Sequence, residues 1–416
     1  MDYSNKTVLV VDHGLFASLA HAMARHFGRV LYFRHWASSF PKASESQIGK
    51  GYKTIERIDN IWDYLDEVDL FIFPDLYDGS LQLHLRSIGK RVWGAAKGEE
   101  LELQRWEMKQ LQKRMGLPTQ PVERVIGLKA LTETLKKRGD RVVKISVVRG
   151  LCESFKVKAY KFVDAHLADV ARDLGGLEYG MSEIQEFVVE DMLEPLLEIG
   201  YDGYSIDGNF PTRSLFGVEE KGRAYAGTMR DYKALPPQLR LINDKLAPYL
   251  KKYQYRGKLS TEAIIDKRDK LGYLIDITAR SASPAGEPDQ DNYTNLADIY
   301  WQGAEGVCVD PIPEKKCVVQ AMISAEHARR AWTLVEVPPE IRRWFKFYHS
   351  TLINGKEYVV PTDAEMNEIG LVDAIGDTFE EAQKTLEGYA EQLEGHKVTV
   401  DTEAVPMAIK SIKKLL

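Results

Sequence analysis

The chain is short of cysteine, of long apolar runs and of surplus charge, and each shortage removes a class of protein. Three cysteines in 416 residues, Cys152, Cys308 and Cys317, are too few and too scattered for a disulfide framework or a structural zinc site. Buried free thiols are expected instead. No apolar run approaches the roughly 20 residues that cross a bilayer, and the opening MDYSNKTVLVVDHG enters a strand without a leader pattern. A cytoplasmic protein without a membrane partner is expected. A net charge of -6 offers no basic surplus to displace counterions from phosphate backbones, so nucleic acid is not an expected partner. Internal repeats and low-complexity tracts are missing too. With 44% hydrophobic and 28% charged residues the composition is that of a globular protein, long enough for two or three domains.

Glycine is scarce where a dinucleotide site would need it. The segments TVLVV (7–11), RVLYF (29–33), DLFIF (69–73) and RVWG (91–94) read as strands, with an amphipathic helix in LFASLAHAMARHF, and together predict a parallel sheet. After the first strand, VDHGLFAS holds one glycine in place of the three that let a backbone approach a pyrophosphate. That excludes dinucleotide binding. From Leu101 the character changes: ELELQRWEMKQLQKRMGLP is a charged helix ended by Gly116 and Pro118, and RVVKISVV is a strand carrying Lys144 among β-branched residues. An unpaired ammonium in an apolar strand is costly, and a phosphate partner accounts for it. EIQEFVVE and LLEIGYDGYSIDG read as further strands, QLRLINDKLAPYLKKY as a helix, and the last ninety residues hold the helix TFEEAQKTLEGYAEQLEG and the short strand KVTV.

The most informative stretch is YLIDITARSASPAGE, 273–287. Alternate strand residues share a face, so Asp276, Thr278 and Arg280 project together. Ser260 to Ile265 and Tyr273 to Ile277 form a predicted hairpin around a charged turn, which sets Glu262 beside Asp276. Two adjacent carboxylates repel unless a cation separates them. Magnesium suits the place, because it prefers oxygen ligands and takes the rest from phosphate and water. The spacing alone is equally compatible with a solvated hairpin carrying charges on its wet face.

Taken in order, these segments resemble the ATP-grasp superfamily, and within it phosphoribosylamine-glycine ligase. The resemblance implies an α/β and α+β chain: an N-terminal parallel-sheet, Rossmann-like domain over 1–100, an ATP-grasp domain over 101–325 with a mobile lid at about 120–190, and a small C-terminal α+β domain over 326–416. It implies magnesium, or manganese in its place, on Glu262, Asp276 and Thr278, the last standing where the family has Asn. Arg105 and Lys144 would meet the ATP phosphates, Glu186 and the backbone of Phe187 and Val188 the adenine, and Glu198 the ribose. Arg280 and Lys144 would offset charge during transfer, and Asp12, His13, Asp75 and Thr228 would face the substrate. The implied reaction is ATP-dependent joining of a small-molecule carboxylate to an amine through an acyl phosphate, in a protein that could be a homodimer as in the family. A kinase acting on a hydroxyl and a non-catalytic nucleotide-binding regulator are the alternatives.

The sequence also departs from that family. VVRGLCESFKVK has the single Gly150 where the family has a glycine-rich loop, so Arg149, Lys156 or Lys158 would have to supply charge by side chain. DHGLFASLAH, YAGTMRDY and MNEIG replace the family's substrate-gripping motifs. A related fold with a changed substrate is expected.

Overall fold

The computed structural model describes residues 1–35, 43–148, 153–177, 180–362 and 367–416, with backbone alone at 173–177 and 181. Arg149, Gly150, Cys152 and Met366 lie outside the described residues. In the first strand, Tyr3–Asp12, Val8 and Val10 bury into one apolar cluster while Leu9 and Val11 bury into another. A strand apolar on both faces belongs in a parallel sheet covered on both sides. Five parallel strands follow the spatial order Glu56–Ile58, Phe27–Arg34, Tyr3–Asp12, Leu70–Ile72, Arg91–Trp93. The chain builds outward from Tyr3–Asp12 in one direction and then resumes on its other side, so the carboxyl ends of Tyr3–Asp12 and Leu70–Ile72 flank the point where the strand order reverses.

The second sheet has nine strands. Its path runs Gly272–Thr278, Arg256–Asp266, Pro195–Ile206, Arg213–Glu220, Ala224–Asp231, Cys317–Ser324, Glu368–Gly376, Phe345–Phe347, and Thr399–Val400 also pairs with Cys317–Ser324. Strands from either side of the boundary expected at 325 and 326 therefore share one continuous ladder. The predicted charged helix is two, Glu100–Leu103 and Arg105–Arg114, parted at Gln104, whose φ of -98° and ψ of 74° leave the helical region. The break lets Leu101, Leu103 and Met108 all reach the core.

The segment expected as a lid is a unit with its own interior. Four antiparallel strands lie in the order Val122–Ile126, Glu186–Asp191, Arg141–Ile145, Ser154–Val157. Val143, Ile145, Phe187 and Val189 turn to one face and pack with Leu131, Leu135 and Leu167 of the covering helices. Glu186, Glu190 and Lys144 consequently share the other face. No helix among the described residues is long and apolar enough to cross a membrane.

Candidate active site

The hairpin forms as the alternation demands. Glu262 on Arg256–Asp266 stands directly opposite Asp276 on Gly272–Thr278, and Ser260 opposite Thr278. On its other side Glu262 faces Gly200, so Glu198 and Asp202 of Pro195–Ile206 extend the same acidic face. Burial pushes the Glu262 carboxyl up to about 8, and the negative charges of Asp276, Glu219 and Glu198 add to the push, with Lys221 opposing it. Asp276 is buried as well, yet the Arg105 guanidinium and the Lys144 ammonium hold it well below the usual carboxylate range. Facing carboxyls with such unequal affinities for a proton share about one negative charge at neutral pH. A divalent cation between them would displace the proton from Glu262, so this donor set fits magnesium.

The cations come from separate elements. Arg105, buried at the start of Arg105–Arg114, pairs with Asp276 and lies 3.8 Å from Glu153 of the lid. Lys144 reaches across from the lid sheet and donates to the carbonyl of Ile275. That carbonyl is accessible because Ile275 is the extra residue of a bulge, between the pairs Glu262–Asp276 and Ala263–Leu274. One helical turn beyond Arg105, Lys109 places Nζ 3.0 Å from Glu190 Oε1 of the lid and 3.3 Å from the Leu274 carbonyl. Gln112 adds a bond of 3.2 Å to the same oxygen. Gly272–Thr278 is an edge strand, and cationic or amide side chains occupy its outward carbonyls. Just beyond it, Arg280 Nε lies 3.1 Å from Glu102 Oε1, whose other oxygen accepts the Ala279 N–H at 2.7 Å.

No family model matches the sequence, and no curated protein matches it. Solved structures do resemble the fold along nearly its whole length. Phosphoribosylamine–glycine ligase from Thermotoga maritima superposes with a TM-score of 0.68 at 16% identity, covering 95% of this chain and 98% of that one. Biotin carboxylase from Campylobacter jejuni gives 0.66 at 12% identity, covering 96% and 94%. L-amino acid ligase from Bacillus licheniformis gives 0.60 at 14%, covering 94% and 99%. The chain has the ATP-grasp fold.

Within that ATP-grasp frame the remaining candidate residues separate. Both oxygens of Glu186 are engaged, by Arg124 at 2.6 Å and by the Ser146 hydroxyl at 2.6 Å. Phe187 is buried in the lid core and Val188 is buried on the opposite face, in a strand paired on both sides. Glu198 is exposed at the rim of the acidic face. Asp12 ends the first strand, where one oxygen accepts the His13 N–H at 2.7 Å and the other accepts Phe16 N–H at 3.0 Å and the Tyr32 hydroxyl at 2.7 Å. Its carboxylate closes the loop on itself. Asp75 is buried and accepts the Leu76 N–H at 2.8 Å. Thr228 is paired with Cys317 and bonded to the Lys316 carbonyl at 3.4 Å. By alternation it shares the core-facing side of Ala224 and Ala226, opposite the side from which Tyr225 reaches Asp202 at 2.9 Å. Among the candidate substrate residues, His13 has its ring grouped with the side chains of His35 and Asp78. Sequence reasoning passed over Lys109, Glu190, Glu102, Lys221, His35 and Asp78. Two of these carried a signal: Lys109 follows Arg105 by four residues on one helix face, and His35 follows the second strand as His13 follows the first.

Proposed function

We propose that the protein is an ATP-dependent ligase that joins a carboxylate to an amine through an acyl phosphate, releasing ADP and phosphate. The observation that carries this reading is the Glu262–Asp276 pair, set opposite each other on the large sheet and met by Arg105 and by Lys144 from the lid. Glu262, Asp276 and Thr278 would hold magnesium, or manganese, which when bound supplies neutralisation of the phosphate oxygens. Arg105, which pairs with Asp276, and Lys144, which donates to the Ile275 carbonyl, would turn to phosphate oxygens when nucleotide and cation are bound. Arg280, oriented by Glu102, would offset negative charge developing on the transferring group.

In the first step an oxygen of the substrate carboxylate attacks the γ-phosphorus as the bond to ADP breaks. In the second, the amine nitrogen attacks the acyl carbon, the carbon–oxygen bond to phosphate breaks, and the nitrogen loses a proton. The acyl phosphate must meet amine before water. A lid with its own core closes as a body and excludes water from the cleft. The segments DHGLFASLAH and YAGTMRDY depart from the motifs that grip phosphoribosylamine in the resembled family, so the donor and acceptor would differ from those of that family.

The test is ADP release with magnesium across a panel of carboxylates and amines, using carboxylate labelled with oxygen-18. ADP should form only when both partners are present, and one labelled oxygen should appear in the released phosphate. Glu262→Gln should lower the rate at least 100-fold. ADP formation with a hydroxyl acceptor alone would establish a kinase instead, and full activity of Glu262→Gln would overturn the assignment of the site.

A further inference from the structure

The structure places a second cluster of metal-ligating side chains at the reversal point of the parallel sheet, apart from the acidic hairpin. His13 follows the strand Tyr3–Asp12, His35 follows Phe27–Arg34, and Asp78 precedes the helix Gly79–Ser87. Asp12 and Arg34 are register partners, so each histidine is the next residue beyond the same rung of the sheet. The imidazoles stack with centroids 5.0 Å apart and an interplanar angle of 22°. His13 Nε2 lies 3.4 Å from Asp78 Oδ2, and His35 Nε2 lies 2.9 Å from Asp78 Oδ1. One donor from each residue falls within 4.8 Å of the others.

We propose that His13, His35 and Asp78 bind a divalent transition metal of the zinc class. Zinc bonds to nitrogen and oxygen of about 2.0–2.2 Å at tetrahedral angles separate adjacent donors by roughly 3.4 Å, the distance from His13 to Asp78, with His35 nearer at 2.9 Å and all three donors within 4.8 Å. Both Nε2 atoms are buried and have the Asp78 carboxylate as their neighbour. Two imidazole nitrogens and a carboxylate oxygen within 4.8 Å of one another form a donor set of the kind that zinc takes. Asp78 is also free for the purpose. It occupies the N-cap position of Gly79–Ser87 without making a capping bond, and the Gly79 N–H is taken instead by Glu99 at 3.1 Å. Phe33 packs edge-on against His35, and Tyr77 lies edge-on to His13 at 6.2 Å, so both rings are held in orientation.

Three protein ligands would leave one position of a tetrahedral site unfilled by the chain, beside histidine side chains that are each 31% exposed. Such a position takes water, or a carboxylate or amine of a small molecule. The Tyr77 hydroxyl donates to the Val147 carbonyl of the lid segment at 3.1 Å, so a single aromatic ring separates this cluster from the lid. The metal site does not depend on the proposed ligase reaction.

The experiment is equilibrium dialysis of the chelator-stripped full chain against zinc chloride at pH 7.5 without nucleotide. Cobalt(II) is used in parallel for its visible spectrum. One equivalent of zinc, and the intense visible bands of four-coordinate cobalt, are expected. His35→Ala and Asp78→Asn should each weaken binding at least 100-fold, and the milder His13→Gln should weaken it as well, with circular dichroism showing that each variant is folded. Glu262→Gln should bind as the unaltered protein does. Absence of a stoichiometric metal, or binding lost in Glu262→Gln and kept in His35→Ala, would overturn the proposal.

Discussion

Glu262 ties the chemistry of the acidic face to pH. Its folded-state carboxyl, pushed up to about 8, retains a proton that the unfolded chain releases near the ordinary value of 4.5. In the metal-free protein that preference stabilises the fold fully below pH 4.5 and is lost as the pH rises through 8. Urea midpoints measured from pH 5 to 8.5 should therefore fall less steeply in Glu262→Gln than in the unaltered protein. Magnesium affinity should rise across the same range, since the cation and the proton compete for one carboxylate. At this scale the alternating strand located Asp276 opposite Glu262, and the cation in an apolar run located Lys144 beside the same hairpin. The sequence was silent on Glu102 and Lys221, whose partners lie far along the chain and exist only after the sheets assemble.

The elements were legible wherever hydrophobic period and turn chemistry agreed. The hairpin emerged as Arg256–Asp266 and Gly272–Thr278, and the long amphipathic helices as Pro237–Lys252 and Phe379–Ala390. Glu56–Ile58 was not legible, because three residues among charged neighbours carry no period and pair only through a strand already in place. The four-stranded unit within 122–191 invites a test of its independence. Leu131 is fully buried in its private core, so Leu131→Ala should cost about 2–5 kcal/mol locally. Hydrogen exchange should accelerate across 122–191 while the parallel sheet stays protected. A smaller effect is expected at the helix Phe379–Ala390, whose N-cap Thr378 accepts the Glu381 N–H at 3.1 Å. Thr378→Ala should lower global stability by about 1 kcal/mol in urea denaturation.

Across the whole molecule, a buried charged network joins segments far apart in sequence. Lys346 pairs with Asp291 and lies 4.0 Å from Asp373, while Arg25 reaches Asp291 at 3.0 Å. Four stretches of chain are thus tied into one network. Removing the ammonium leaves two buried carboxylates short of a partner, so Lys346→Met should destabilise the protein by about 3–5 kcal/mol, read from the shift of a urea transition. The three-part reading of the sequence missed this tie, because none of its members stands out locally as more than a surface charge.

The unbroken nine-stranded ladder also bears on how such a chain can be remade. Cys317–Ser324 is almost wholly buried, with a neighbour on each side, and one of those neighbours is Glu368–Gly376. A gene truncated after residue 325 would not yield a smaller stable protein. It would yield a chain with a bare apolar rim that recruits strands from other copies, so exchanging the C-terminal third for that of another protein means supplying a matching strand as well as a matching pocket.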